Sequence, residues 1–145
     1  MGDTTQDKAI PAAQERIPDD PLTAMFRWWN MAYLEAGGFS EEAFSRYFTQ
    51  DAVMRINGHV RGRGIEALAV HFQRIQASTQ MVRVELPFHK LQVSEDGSCI
   101  FTSHEVSARV DGQLQQELVM GYAEVAGGRL SRVDFVSTDG TPEPF

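Results

Sequence analysis

His104 is the residue whose type and position most clearly indicate chemistry. In the segment CIFTSHEVSARV it shares the alternating period of a strand with Ile100, Val106 and Ala108, so its side chain is predicted on the inward face. An imidazole titrates near neutral pH and can accept or donate a proton. No Asp or Glu is predicted beside it, so burial should keep the ring neutral at pH 7. The alternative is a core histidine that is hydrogen-bonded to backbone or water.

Two tyrosines are predicted as hydrogen-bond donors near this imidazole. Tyr122 shares strand parity with Leu118 and Met120. If a three-residue loop joins the two strands, His104 lies opposite Met120 and diagonal to Tyr122. Tyr33 is predicted on an apolar helix stripe that faces the same interior. A phenol there could donate to a developing oxyanion; the alternative is that each tyrosine only lines the wall.

The remaining predicted site residues form the substrate-binding wall. Asn30 lies on an otherwise apolar helix face and needs a polar partner, which a substrate could supply. His71 lies on the apolar stripe of a later helix and faces the sheet or its rim. The alternative is core packing for the apolar residues and a rim position for the histidine. The predicted set is Phe26, Trp29, Asn30, Met54, Ile56, His71, Leu118 and Met120.

Charge and cysteine content disfavour several classes of protein. Thirteen Lys and Arg against twenty Asp and Glu give a net charge of −7, which disfavours nucleic-acid and anionic-membrane partners. The single Cys99 excludes an intramolecular disulfide, and the scattered histidines indicate no metal site. No glycine pattern for a dinucleotide cofactor is present. We therefore expect no cofactor. Without a long apolar run or a signal-peptide core, a cytoplasmic location is predicted.

The 145 residues fit one domain. Residues 1–19 are polar and are predicted to be a disordered N-terminal arm, residues 20–138 the folded domain, and residues 139–145 a C-terminal tail. Three helices are predicted early in the domain, because capping residues begin the first two and apolar stripes mark the first and the third. Their predicted ranges are Pro21–Ala36, Glu41–Phe48 and Ile65–Ala77.

After the third helix the sequence alternates with a period of two. Strands are predicted at Ala52–Asn57, Val82–Val93, Ser98–Val110, Leu114–Val125 and Arg129–Ser137, and the GHVRGRG stretch is predicted as a loop. Glycine-containing turns separate the later strands. Helices followed by consecutive hairpins favour an α+β domain, in which the helices cover one face of a curved antiparallel sheet.

The string YFTQDAVMRINGHVRGRGIEALAVHF resembles the signature of SnoaL-like members of the nuclear transport factor 2-like superfamily. The matching positions are Phe48, Asp51, Ala52, Val53, Gly64, Glu66, Ala67 and Leu68. The resemblance covers about residues 20–138. It implies a cone-shaped domain whose helices pack on the concave face of the sheet, with a pocket between them and a dimer formed through the outer sheet face. The fold hosts isomerases, dehydratases, cyclases, epoxide hydrolases and binding proteins.

The known catalytic sets of this superfamily are incomplete in this sequence. Aligned with ketosteroid isomerases, the base and the two oxyanion donors fall on Ile56, Asn30 and Met120. Of the two histidines of scytalone-dehydratase-like members, one falls on Met81 and the other matches His104. The acid in the last strand of limonene-epoxide-hydrolase-like members falls on Phe135, which cannot act as an acid.

The resemblance and the residues together predict a cofactor-independent enzyme. It would act by proton transfer on a small apolar or aromatic, ring-containing substrate, as a dehydratase or other lyase, an isomerase or a cyclase. The alternatives are a non-catalytic module that binds a hydrophobic ligand and a dimeric interaction module. A homodimer is expected because a second apolar set is predicted on the outer face of the fourth strand, namely Val119, Gly121, Ala123 and Val125.

Overall fold

The computed structural model describes residues 19–139 and residue 143. The predicted N-terminal arm, except for Asp19, and most of the predicted C-terminal tail lie outside the described residues. The described part is an α+β domain with a strongly curled half-barrel sheet, which confirms the predicted cone-shaped fold. None of its helices has the length and apolar character that crossing a membrane requires.

Helix α1 spans Pro21–Tyr33 and is capped as its sequence predicts. The Asp20 carboxylate accepts from the backbone N–H groups of Leu22 and Thr23, both at 3.0 Å. The helix ends three residues before the predicted Ala36. Its buried residues include Phe26 and Trp29, so one apolar face of α1 is turned towards the sheet.

The second and third helices also begin at the predicted residues. Helix α2 spans only Glu41–Phe44, because the predicted end at Phe48 instead begins the first strand. Helix α3 spans Ile65–Ser78. Rings from these helices and from the α1–α2 connection form one buried cluster, in which Phe44 stacks on Phe72 with centroids 5.7 Å apart. This cluster fixes the helices against one another over the sheet.

The strands form a single curled sheet in the described part of the chain. They are β1 (Phe48–Ile56), β2 (His59–Arg63), β3 (Met81–Val84), β4 (Lys90–Val93), β5 (Cys99–Val110), β6 (Gln113–Ala126) and β7 (Arg129–Asp139). Their order is β2-β1-β7-β6-β5-β3, with β4 also paired to β5. All pairs are antiparallel except β1 with β7. The stretch predicted as a loop is β2, and the predicted Val82–Val93 strand is divided in two around Pro87.

The β5–β6 hairpin has a tighter turn than the sequence analysis assumed. Asp111 and Gly112 alone form the turn, with φ of 51° and 77°, so Val110 pairs with Gln113. His104 therefore lies opposite Val119 and not opposite Met120, as the three-residue loop would have required. Because side chains alternate between faces, a shift of one residue moves every β6 side chain to the other face. The prediction of which β6 residues face inward was wrong.

The same shift changes the composition of the outer face. Val119 and Ala123, predicted there, are buried on the inner face. The outer face nevertheless carries apolar side chains, because Phe101, Met120 and Val136 are 54%, 57% and 59% exposed. Met120 and Val136 are direct neighbours across β6 and β7. The homodimer remains a prediction, and the exposed apolar residues that support it differ from those that the sequence indicated.

Candidate functional site

A cavity of about 300 Å³ lies between the inner face of the sheet and helices α1 and α3. This volume is at the small end of the usual range for ligand pockets. Its lining is mostly apolar, and the polar side chains in it are those of His104, Gln115, Glu117 and Ser137. The predicted wall residues Phe26, Trp29, Met54 and Ile56 all line it.

His104 lies on the floor of this cavity and is only 1% exposed. Its ring contacts three aromatic rings, with centroid distances of 5.7 Å to Phe26, 4.9 Å to Phe88 and 5.5 Å to Phe135. The imidazole Nδ1 lies 3.0 Å from the Thr102 hydroxyl oxygen. Among the described residues, this is the hydrogen bond that fixes the ring. The inward position predicted for His104 is confirmed.

Burial, and to a smaller extent the charge of His89, lower the pKa of His104 from its usual value near 6.5 to about 4. The ring is therefore neutral at pH 7. If Nδ1–H donates to the Thr102 hydroxyl, the Nε2 lone pair is available to accept a proton. In the other tautomer, Nε2–H can donate to a ligand oxygen. The threonine hydroxyl can serve either tautomer.

The lowered pKa predicts a dependence of stability on pH. As the pH falls below about 6.5, His104 becomes protonated in the unfolded chain. In the folded protein it stays neutral until the pH reaches about 4. Stability is therefore lost over this window, by about 2 kcal/mol between pH 7 and pH 5. Urea unfolding at both pH values should show a loss about 2 kcal/mol larger in the parent than in His104→Phe, which keeps only the smaller contributions of the other histidines. Equal losses in the two proteins would contradict the buried neutral imidazole.

Gly121 provides the space that the floor of the cavity needs. It lies opposite Thr102 on β5 and opposite Phe135 on β7. A Cβ atom at this position would lie 2.6 Å from the Thr102 hydroxyl oxygen and 2.8 Å from the Phe135 ring. Only glycine leaves room both for the hydroxyl that holds His104 and for the ring beneath it.

Tyr122, Leu118 and Met120 do not line the cavity, contrary to the sequence analysis. The Tyr122 ring lies on the outer face, 5.1 Å from the Phe101 ring. Its hydroxyl donates to the Glu124 carboxylate at 2.6 Å. The physical reason is the two-residue turn described above, which reverses the parity of β6. Tyr122 is therefore excluded as a donor to a substrate at His104.

Two predicted polar residues of α1 are occupied by the protein itself. The Asn30 side-chain amide donates to the Val84 carbonyl at 2.8 Å, and its oxygen accepts from the Val84 N–H at 3.0 Å. The Tyr33 hydroxyl lies 2.6 Å from the Thr79 hydroxyl. Asn30 thus attaches β3 to α1, and Tyr33 holds the end of α3. Neither residue lines the cavity.

His71 lies outside the cavity as well. It lines an open groove of about 650 Å³ beside the start of α3, together with Arg61, Arg63 and Arg74. Burial, and then the positive charges of Arg61 and Arg74, lower the pKa of His71. It belongs to the rim of the helix, which was the alternative in the sequence analysis.

Comparison with solved structures identifies the fold. The chain superposes on a nuclear transport factor 2-like protein of unknown function from Exiguobacterium sp. 255-15, with a TM-score of 0.68, 18% identity, and coverage of 83% of this chain and 99% of that one. This likeness, together with the curled sheet and its helices, is decisive. The chain has the nuclear transport factor 2-like fold.

Two further structures with this fold carry functional descriptions. IdmH from Streptomyces antibioticus, described as a candidate polyketide cyclase, matches with a TM-score of 0.64, 15% identity, and 84% and 92% of the two chains. An epoxide hydrolase of Mycobacterium tuberculosis matches with a TM-score of 0.55, 21% identity, and 68% and 66%. No family model and no curated protein sequence matches the chain.

Within this nuclear transport factor 2-like fold, the sequence analysis missed three polar residues of the cavity. Gln115 and Glu117 lie on the inner face of β6, and Ser137 lies on β7 beside Val119. The Ser137 hydroxyl accepts from the Asn57 side-chain amide at 3.1 Å and keeps its own proton to donate. The Asp-Gly dipeptide was the signal for these positions, since it favours a two-residue hairpin turn.

Proposed function

We propose that the protein is a cofactor-independent enzyme that transfers a proton on a small, ring-containing substrate held in this cavity. The reaction would be a dehydration or other lyase reaction, an isomerisation or a cyclisation. One observation carries the proposal: a neutral imidazole, fixed through Nδ1 by Thr102, lies on the floor of an apolar cavity. A core histidine that served packing alone would not need a cavity beside it.

His104 would act as the base. Its Nε2 lone pair takes a proton from a substrate carbon, and the electron pair of the broken C–H bond moves onto a neighbouring carbonyl oxygen. The negative charge that develops there favours the imidazolium and raises its pKa from the low resting value. The imidazolium then returns the proton to another substrate atom, or to a departing hydroxyl that leaves as water. Ser137 is placed in the cavity to donate to the oxygen.

The likeness to IdmH and to an epoxide hydrolase supports an enzyme, since both structures place small-molecule chemistry on this fold. A non-catalytic protein that binds a hydrophobic ligand is the second candidate. It is favoured by the positions of Tyr122, Tyr33 and Asn30, which leave the cavity with fewer hydrogen-bond donors than the catalytic prediction required. The cytoplasmic location and the lack of nucleic-acid and membrane partners remain predictions.

Deuterium exchange separates these two candidates without knowledge of the product. A panel of small cyclic ketones is incubated with the protein in D2O, and loss of the proton beside the carbonyl is followed by NMR. We expect the protein to accelerate exchange of at least one ketone. Ketones that bind without faster exchange would contradict the enzyme and support the binding protein.

We also propose a homodimer formed through the outer sheet face. Phe101, Met120 and Val136 expose apolar side chains on adjacent strands there, and a sheet face in water normally carries polar residues. Light scattering at micromolar protein should give the mass of two chains. Met120→Lys places a charge in the middle of this set and should give the mass of one chain.

Leu114→Lys is the matched control for the dimer. Leu114 is equally exposed on β6 but lies near the β5–β6 turn, away from the apolar set. This variant should remain dimeric. A parent protein with the mass of one chain, or dissociation by both variants alike, would rule out the proposed face.

A further inference from the structure

The rim of the cavity holds a carboxylate with which no other described residue pairs. Glu117 lies on the inner face of β6, half-buried, and lines the cavity. Among the described residues, no hydrogen-bond donor or cation contacts it. Burial raises its pKa, and the neighbouring charge of Asp139 raises it further. Keeping a half-buried carboxylate ionised costs free energy unless a ligand supplies a hydrogen-bond donor or a positive charge.

Other carboxylates of the same sheet are paired. Glu105 accepts from the His89 ring at 2.8 Å on the outer face. Asp134 accepts from Arg55 through two nitrogens, one of them at 3.0 Å. Glu117 differs from them in facing the cavity, where none of the described side chains pairs with it.

The electrostatics of the rim disfavour an anionic ligand. Asp139 is the register partner of Glu117 on β7, so both side chains lie on the inner side of the sheet. No Lys or Arg of the described chain lines the cavity, and its one imidazole, His104, is neutral. Among the described residues, the charge at the entrance is therefore negative at neutral pH.

The spacing of the polar groups sets the length of a fitting ligand. Glu117 is two residues along β6 from Val119, the direct partner of His104. Two residues of a strand span about 7 Å. An aromatic ring with a short side arm covers this distance. The rings of Phe26 and Phe135, stacked with centroids 5.7 Å apart, provide the apolar surface at the deep end.

We infer that this cavity takes a small ligand that carries a protonated amine on a short arm from an apolar ring, with the ammonium at Glu117 and the ring beside His104. The inference rests on the proposed function only in using the same cavity. The ammonium supplies three donors and the missing charge to the carboxylate. The ring is buried among aromatic side chains. A carboxylate on the same arm would meet two negative charges.

Three probes that share a phenyl ring and a two-carbon arm test this inference by calorimetry at pH 7 and low salt: 2-phenylethylamine, 2-phenylethanol and 3-phenylpropionate. The amine should bind at least tenfold more tightly than the alcohol, and the carboxylate at least tenfold more weakly. Glu117→Gln should bring the amine close to the affinity of the alcohol and leave the alcohol unchanged. Glu105→Gln removes the same charge on the outer face and should retain the preference for the amine.

The outcomes separate this inference from the proposed function. Equal binding of amine and alcohol to the parent would overturn the amine preference and leave the cavity as a site for rings. An equal effect of Glu117→Gln and Glu105→Gln would also overturn it, since the preference would then reflect overall charge. Failure of all three probes to bind would overturn it and would count against the cavity as a substrate site.

Discussion

His104→Phe is expected to lower turnover of an identified substrate by about a hundredfold or more, because positioned acid–base groups contribute rate factors of about 10²–10⁴. Phenylalanine keeps the ring and fits among the three aromatic rings that surround His104. It leaves the Thr102 hydroxyl without its partner, at a cost of about 1–3 kcal/mol. The fold should therefore survive at pH 7, as checked by circular dichroism and thermal unfolding.

His104→Gln distinguishes proton transfer from ligand positioning. Glutamine retains a hydrogen-bond donor and acceptor but cannot take up a proton at neutral pH. We expect substrate affinity within a few-fold of the parent and turnover as low as in His104→Phe. His71→Phe is the matched control, because it removes a half-buried histidine outside the cavity. Full activity in both His104 variants would make this residue part of the wall, and failure of both to fold would make it a core group.

Local signals in the sequence predicted the helix starts. Asp20 and Ser40 cap α1 and α2 through side-chain bonds to residues two or three positions ahead. Such bonds depend on a few neighbouring residues, so the sequence is sufficient. The end of α2 is different, because Phe48 is held in β1 by pairing with Leu130 on β7. A contact between residues so far apart in the chain leaves no local pattern.

The prediction of the site depended on strand parity, which is sensitive to a single residue. On β5 the apolar alternation was unambiguous, and His104 was placed correctly. On β6 both faces carry apolar side chains, so the pattern allowed either register, and the assumed loop length selected the wrong one. That choice placed Tyr122 in the cavity, whereas in the structure Tyr122 lies on the outer face and Glu117 lines the cavity. The turn sequence Asp111-Gly112, and not the strand itself, indicated which β6 side chains face inward.

The partners of Asn30 and Tyr33 could not be read from the sequence. Asn30 bonds to Val84, which is 54 positions away, and Tyr33 to Thr79, which is 46 positions away. The sequence correctly indicated that a polar group on an apolar helix face needs a partner. It did not indicate whether backbone, side chain or substrate would supply that partner, because this depends on how α1 crosses β3 and α3.

Gly121→Ala is the substitution with the largest expected effect on stability. The added methyl group would meet the Thr102 hydroxyl at 2.6 Å and two Phe135 ring carbons at 2.8 and 2.9 Å. Relief requires the hydroxyl to turn away from His104 or the ring to leave its stack on Phe26. Overpacking of this kind costs about 1–3 kcal/mol, which should lower the melting temperature by several degrees.

The matched control for Gly121→Ala is the same change at Gly62, which also lies within a strand of the sheet. There the nearest atoms are the end of the Leu68 side chain at 3.0 Å and two backbone atoms of α3 at 3.2 Å, all farther away than the atoms around Gly121, so a smaller loss is expected. NMR titration of His104 gives a second readout. If Thr102 loses its bond to Nδ1, the imidazole signals should change in Gly121→Ala and remain as in the parent in Gly62→Ala. Parent-like stability and an unchanged His104 titration in Gly121→Ala would show that the cavity floor has room to spare, and that the Thr102–His104 bond does not depend on the glycine beneath it.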